Sequence, residues 1–481
     1  MSTHQPTPTI LLPQLPPKTL VGIDLITFTS TANFHGIRDL SPGWHFLYTG
    51  ATETLSLRSG AWFYIGDIST AGKGSSGTAL VSQNRNKNQT QPTSRPEIYI
   101  WKWSADTETL VTLDGESDSS RQESMRYKAN LGSVWQSGGL FKYRSRIAPS
   151  MLVKPATESE SGEKNEEEQP QPQIEARIQT EDDAQTEETG RRDWSGLTDR
   201  ISPNLLSRVI GNPEVDTDGH PRWVLSSAST ANRDADHIPG VDSPAEASEK
   251  PETSEEPERE FGFIPVDLKR TWREGAVGRE RTEAAQDRSW ALGDLIDRFA
   301  GEASGGNQLL GELQFTFIMV LTMMNYSCLQ QWKRLLELIL TSRSAILDRE
   351  AFMSEVLRVL SLQLQRCDDV DGGLFEIDGD EGGAFLRDLL IKLRQSVDDL
   401  VGDTESNVKL ELDKLEEWVK AEYDWELHRG AVVRHGMLQL EDGEQVEMDW
   451  YGDDEDDETG EYAPMIVDIN EMKQAGIMNA V

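Results

Sequence analysis

Cysteine is almost missing from this 481-residue chain: Cys328 and Cys367 are the only two, both inside apolar helical patterns. Two such residues cannot form a disulfide framework, and each reads as a small buried hydrophobe of a reducing compartment. Basic residues are scarce as well, 47 Lys and Arg against 84 Asp and Glu, for a formal net charge of −37. Phosphate backbones are bound by Lys and Arg clusters that release counterions, so direct nucleic-acid binding is not expected, and anionic membranes are disfavoured by the same sign. Long apolar runs are also absent. The most hydrophobic, Leu309 to Met324, is interrupted by Glu312 and Gln314 and ends at Asn325, too short and too polar to span a bilayer. The first seventeen residues are Pro/Thr-rich and lack the basic and apolar regions of a signal peptide, so a soluble intracellular protein is expected. Apolar content of 36% is low for a globular chain, which implies segments that do not pack.

Catalytic signatures are equally thin. Gly72-x-Gly74-x-x-Gly77 has dinucleotide-binding spacing, but a polar stretch without helical period follows it, where the chemistry requires a helix. The seven histidines are scattered without zinc-site spacing, and His45, among aromatics on a strand, reads as a satisfied core residue. Asp378-x-Asp380-x-Gly382-Gly383 lacks the ligands of a calcium loop, and no GxSxG elbow occurs. No enzyme, cofactor or metal is expected.

The patterns that are present divide the chain. Residues 1–17 read as disordered. From Leu20 onward, short strands alternate with Gly/Pro/Ser signals: Leu20–Thr29, Trp44–Tyr48, Ala61–Ile68 and Ile98–Trp103. They predict a β-sandwich over 18–153. Residues 154–190 are dominated by Glu, Gln and Pro and read as a disordered acidic insertion. Within 191–225 a helix from Trp194 to Ile210 is expected to pack on that domain through Leu197, Ile201, Leu205, Leu206 and Val209. Residues 226–260 read as a disordered linker between domains. From Ser289 the period turns helical, with Trp290, Leu292, Leu295, Ile296 and Phe299 first and Leu309–Tyr326 as a central buried helix. Six helices in all predict an all-α domain over 261–435. The fold class is thus α+β multidomain, and 436–481 is an acidic tail with a short β-prone segment.

That tail is the most telling part. Nine acidic residues and no basic one lie between Glu447 and Glu461, followed by Tyr462, Pro464 and the alternating Met465, Ile466, Val467, Asp468 and Ile469. No neighbouring segment reads as a hairpin partner. A strand on an acidic leash suits completion of a sheet on another protein, or of the chain's own N-terminal sheet. Burying Met465, Val467 and Ile469 is worth roughly 5–9 kcal/mol, and ordering about seven residues costs roughly 1–2 kcal/mol each. The terms nearly cancel, so a binding tail needs a second contact from the folded domains.

Four pieces in order carry a resemblance: Gly22-Ile23-Asp24-Leu25 with Phe34-x-Gly36-Ile37 and Pro42-Gly43-Trp44-His45-Phe46-Leu47; Trp194-x-x-Leu197-Thr198-x-x-Ile201; Gly311-Glu312-Leu313-Gln314-Phe315-x-Phe317 with Gln331-Trp332-Lys333-Arg334-Leu335-Leu336; and Tyr462-Ala463-Pro464-Met465-Ile466-Val467-Asp468. Together they resemble the A1 cistron-splicing factors. The resemblance implies an N-terminal β-sandwich, a C-terminal helical domain similar to the VHS superhelix, and no catalysis. It implies a pre-mRNA splicing factor of cytoplasm and nucleus, a monomeric assembly chaperone of the U5 snRNP. Its partner would be the large scaffold protein of that particle, bound through the RNase H-like domain so that later partners are kept off. Release by phosphorylation is implied too, and Thr157-x-x-Glu160 and Thr253-x-x-Glu256 have acidophilic-kinase spacing. The alternative is a VHS-like adaptor or trafficking module that binds peptides or ubiquitin.

Overall fold

β-Branched and aromatic runs cut by Gly, Pro and Asp build the first half of the chain. The computed structural model describes residues 7–51, 57–68, 97–113, 117–146, 181–231, 260–299, 305–367, 382–402, 404–428, 435–439 and 445–449. Strands β1 (Thr9–Leu11), β2 (Leu20–Ile23), β3 (Ile26–Thr29), β4 (Gly36–Arg38), β5 (Gly43–Gly50) and β6 (Arg58–Ile65) come first. Then follow β7 (Ile98–Ser104), β8 (Thr109–Thr112), helix α1 (Asp118–Gln136) and β9 (Leu140–Lys142). Helices α2 (Glu181–Thr198) and α3 (Pro203–Val209) lead to β10 (Glu214–Val215) and β11 (Pro221–Ser226).

These strands form two sheets, one ordered β8-β7-β1-β4-β9 and one ordered β10-β11-β6-β5-β2-β3. Ile10, Ile37, Tyr99 and Trp101 of the first meet Val21, Leu47, Phe63 and Ile65 of the second in one core. The period-two rule is visible on β7, where Tyr99 and Trp101 enter that core while Ile98 and Ile100 turn to the opposite face. There Leu131, Tyr127, Val134 and Trp135 of α1 cover them. Strand β5 is buried along nearly its whole length because helices cover its second face, which explains its continuous aromatic run.

The helical half comprises α4 (Arg279–Gln286), α5 (Ser289–Arg298), α6 (Gly305–Met323), α7 (Tyr326–Leu340), α8 (Ala345–Asp348), α9 (Glu350–Arg366), α10 (Gly382–Val401) and α11 (Asn407–Tyr423). Every residue from Leu309 to Met323 is buried, so α6 is the central helix that its apolarity predicts. The stripes Leu329, Trp332, Leu335, Leu336 and Ile339 on α7 and Val408, Leu412, Leu415 and Val419 on α11 are all buried against the bundle. Both cysteines are buried, and no disulfide joins them. Residues 7–425 form a single compact unit, so the two halves are packed together rather than strung on a linker.

Several expectations are corrected. The N-terminus is not disordered from 1 to 17: Thr9–Leu11 pairs antiparallel with β4 and parallel with β7, near the middle of its sheet. Three β-prone residues suffice there because two neighbours take their backbone groups. The acidic insertion does not extend to Gly190, because α2 begins at Glu181. Its Glu, Gln and Ala are good helix formers, and Glu187 anchors it by accepting from the amide of Ser145 and from Arg191 at 3.1 Å each. The single helix from Trp194 to Ile210 is two, broken where Ser202 caps α3 by accepting from the Leu205 amide at 3.2 Å and Pro203 occupies the first turn. All five of its expected packing residues are nonetheless fully buried. Trp290 is not core but 45% exposed. It sits about 200° around the helix from Leu292, off the stripe formed by Leu292, Leu295 and Ile296. Helices α1, α4 and α8 and strands β10 and β11 add to the elements that the periodicity predicts.

Residues 426–481 form a second unit. In it β12 (His435–Gln439) and β13 (Gln445–Asp449) pair antiparallel, with Leu438 opposite Val446. This hairpin runs into the start of the acidic stretch at Glu447, whereas the expectation of no hairpin partner concerns Tyr462–Ile469, which lies outside the described residues.

Candidate functional site

Tyr462, Pro464, Met465, Ile466, Val467 and Ile469 lie outside the described residues, as do Thr157, Thr253, the Gly72–Gly77 motif and residues 368–381. The motifs inside the described residues divide between two places, the seam between the sandwich and the helical bundle and a polar cluster within the sandwich.

The seam is built from α6. Gly311 is there because a Cβ would lie 2.5 Å from the carbonyl oxygen of Arg200 and 2.7 Å from Leu205 Cδ1, so only glycine lets α3 approach this closely. Next to it, Glu312 is wholly buried. Its carboxylate accepts from the Ile264 amide (3.0 and 3.2 Å), from Gln331 Nε2 (2.8 Å) and from Arg208 Nη1 (2.6 Å). Such a buried charge persists only with this number of donors. Gln331 also donates to the Ile264 carbonyl at 2.9 Å, so the chain at 260–266 is held from both sides. Gln314 grips the α2–α3 elbow: its Nε2 donates to the Gly196 carbonyl (2.9 Å) and Asp199 (2.7 Å), and its Oε1 accepts from the Arg200 amide (3.0 Å). Phe315 lies against Trp62 and Phe261. Trp332 donates to Gln363, which donates to the Leu313 carbonyl, each at 3.1 Å.

The sandwich answers with aromatics and one cation, and a second cation comes from the bundle. Trp44 donates to the Ile201 carbonyl at 2.8 Å, and Trp194 stacks on Trp62. Arg58 donates to the Thr322 carbonyl at 2.6 Å, a cation at the C-terminal end of α6 where it suits the helix dipole. Arg366 of α9 pairs with Asp193 of α2. Asn325 caps α7 by accepting from the Cys328 amide at 2.9 Å, while its Nδ2 donates to the Ser227 and Ser229 carbonyls just past β11.

A second polar cluster sits inside the sandwich. Asp24, at the β2–β3 turn with φ +57°, accepts from Tyr143 OH (2.6 Å), His45 Nδ1 (2.8 Å) and the Phe46 amide (2.9 Å). His45 Nε2 lies 2.7 Å from the Ser41 carbonyl, so both ring nitrogens face acceptors, an arrangement that favours the protonated ring. Burial alone would lower the His45 pKa, but the Asp24 charge and the hydrogen bonds to Asp24 and Ser41 outweigh it and raise it. Burial and the adjacent Asp24 charge push the Tyr143 phenol well up. This acid–imidazole–phenol chain resembles a catalytic relay in composition only. Asp24, His45 and Tyr143 are at most 2% exposed, and the imidazole has no nitrogen left for a substrate.

Asp216, Asp218 and His220 could offer three metal ligands within reach of one another. Yet Asp216 already accepts from the amides of Asp218 and His220 (2.9 Å each) and from His220 Nδ1 (3.0 Å), which is the wiring of the β10–β11 turn. The geometry fits turn closure rather than a metal centre.

Sequence reasoning finds the motifs but not their work. Glu312 and Gln314 stand out as interruptions of an apolar run, and that polarity is the available signal: a buried polar residue needs named partners. Those partners include Ile264 and Gly196, which lie 48 and 118 positions away.

The same two halves are recognised by comparison. The AAR2 N-terminal domain matches residues 6–211, and the AAR2 C-terminal repeat region matches residues 263–428. The chain is similar to the Protein AAR2 homolog of Pongo abelii, 26% identical over 179 residues that make up 36% of this chain and 45% of that protein. With the homolog of Homo sapiens it is 31% identical over 104 residues, 22% of this chain and 26% of that protein. With that of Oryctolagus cuniculus it is 35% identical over 91 residues, 19% and 26%. The chain thus spans less than half the length of the curated relatives it matches. Two successive family matches, which together cover most of the chain, establish that it belongs to AAR2, the A1 cistron-splicing factor family.

Proposed function

We propose that this chain is a non-enzymatic pre-mRNA splicing factor that acts as an assembly chaperone of the U5 snRNP. Its partner is the large scaffold protein of that particle, held through the RNase H-like domain so that later partners are excluded until release. The observation that supports this reading is the seam: Trp44, Trp194, Gly311, Glu312, Gln314 and Gln331 are consumed in fusing two domains into one body. Such a body presents a fixed surface spanning both halves, as a holdase for a folded domain requires. Chemistry is not asked of it, since the Asp24–His45–Tyr143 chain is sealed from solvent. The tail from Tyr462 to Ile469 supplies the second contact, an added strand on the partner's sheet. Action in both cytoplasm and nucleus follows from a partner assembled in one and used in the other.

A pull-down of the scaffold's RNase H-like domain by the full chain, compared with a chain ending at residue 450, tests this. The truncation keeps the β12–β13 hairpin. Capture that weakens on truncation supports the chaperone and places part of the interface in the tail. Capture unchanged by truncation keeps the partner and removes the tail from the interface. No capture by either form refutes the assignment and favours a peptide-binding adaptor.

A further inference from the structure

Trp290 stands at the rim of a groove of about 840 Å³ formed by α4, α5 and α8. Its indole is 45% exposed. Around it stand the carboxylates of Glu283, Asp287, Asp294, Asp297 and Asp348, against a single lining cation, Arg349. The groove between α9 and α11 is more evenly charged, with Arg358 and Lys414 set against Glu411 and Glu417.

The acids are not equivalent. Asp287 is fixed: it accepts from the amides of Ser289 (3.0 Å) and Ser344 (3.1 Å), binding the start of α5 to the start of α8. Burial opposes its ionisation, but the hydroxyl and amide donors of Ser289 and Ser344 outweigh it and lower its pKa. Asp297 approaches Arg349 only to 4.0 Å and is 79% exposed, and Asp348 is exposed with no ion pair among the described residues. Asp294 pairs with Arg298 along its own helix. The groove therefore combines a flat aromatic face, a fixed anion at its base and solvent-facing anions at its rim.

From this juxtaposition we infer that the α4–α5–α8 groove binds an arginine- or lysine-rich segment of a partner protein. A cation over the Trp290 face is attracted by the ring quadrupole, while its N–H groups reach the rim carboxylates in charge-assisted bonds. The net charge of −37 steers such a segment inward. It also repels phosphate backbones and this chain's own acidic tail. The occupant is a basic protein segment and not a nucleic acid. The inference does not depend on which protein the tail engages.

The test uses the full chain and a fluorescein-labelled octapeptide of alternating arginine and glycine, titrated by fluorescence anisotropy near physiological ionic strength. The triple variant D294N/D297N/D348N is compared with E405Q/E417Q/E422Q, which removes the same charge from exposed positions elsewhere. The groove triple is expected to weaken binding at least tenfold and the distant triple less than twofold. Trp290→Ala is expected to weaken it about fivefold, with Trp290→Phe restoring most of the loss. Equal losses in the two triples, or no effect of Trp290→Ala in a chain whose circular dichroism is unchanged, would overturn the proposal by reducing the effect to bulk charge. A labelled RNA oligonucleotide should show no binding, and binding of RNA at the groove would overturn the choice of ligand.

Discussion

Trp194 donates its indole N–H to the main-chain carbonyl of Trp44 at 2.7 Å, across 150 positions of sequence. Trp44 in turn donates to the Ile201 carbonyl just past the same helix, so the two indoles clasp α2 onto β5. Trp194→Phe keeps the stack on Trp62 and loses the hydrogen bond. It should cost about 1–2 kcal/mol, read as a lower urea midpoint at constant slope. Trp194→Ala should cost about 3–5 kcal/mol because it also opens a cavity.

Glu312 is the charge on which the seam depends. Glu312→Leu strands Arg208 and leaves the Ile264 amide without its acceptor. A loss of about 3–5 kcal/mol is expected, and the bundle and sandwich should begin to unfold in separate steps. Calorimetry that still gave one sharp transition at the wild-type temperature would contradict this account.

Two helical glycines should behave oppositely. Gly311→Ala forces a methyl against the Arg200 carbonyl and should destabilise by about 1–3 kcal/mol. Gly132 of α1 has open space where a methyl would stand, with no neighbour within 4 Å, and Gly132→Ala should stabilise by about 0.5–1 kcal/mol. Thermal melts of the two single variants decide the matter.

The His45 pKa lies above its ordinary 6.5 in the folded chain. The stabilisation from the charged ring is therefore complete below pH 6.5 and is lost as pH rises through the folded value. The His220 pKa is also raised, chiefly by its hydrogen bond to Asp216 with burial opposing, so it adds to the same decline. The Asp216 pKa is lowered because the His220 and Asp218 contacts outweigh burial, so its contribution is lost as pH falls below 3.8 toward the folded value. Denaturation midpoints between pH 5 and 9 should fall with rising pH, and less steeply in His220→Gln. A flat profile in the wild type would count against a charged His45.

Helical stripes and aromatic strands are legible in sequence because burial repeats at a fixed period. Leu335 and Leu336, or Leu412 and Leu415, need no knowledge of their neighbours to be placed inside. Helix α2 is not legible, since its first residues are as acidic as a solvated tail and its anchors, Ser145 and Arg366, lie elsewhere. Thr9–Leu11 is too short to show a period and owes its strand to β4 and β7. The seam shares this limit. That Gln314 holds an elbow is a fact about Gly196 and Arg200, which the local pattern around Gln314 does not contain.

Strand β11 reaches β6 only after more than a hundred and fifty intervening residues, and Trp223 then lies opposite Trp62 in the ladder. On a ribosome adding about 5–20 residues each second, the open edge of β6 waits roughly ten to thirty seconds for its neighbour. The sandwich cannot finish as a vectorial product of its own first segment. Throughout that interval the nascent chain exposes an aromatic strand edge, and the β6 edge stays open to other strands until β11 has been made.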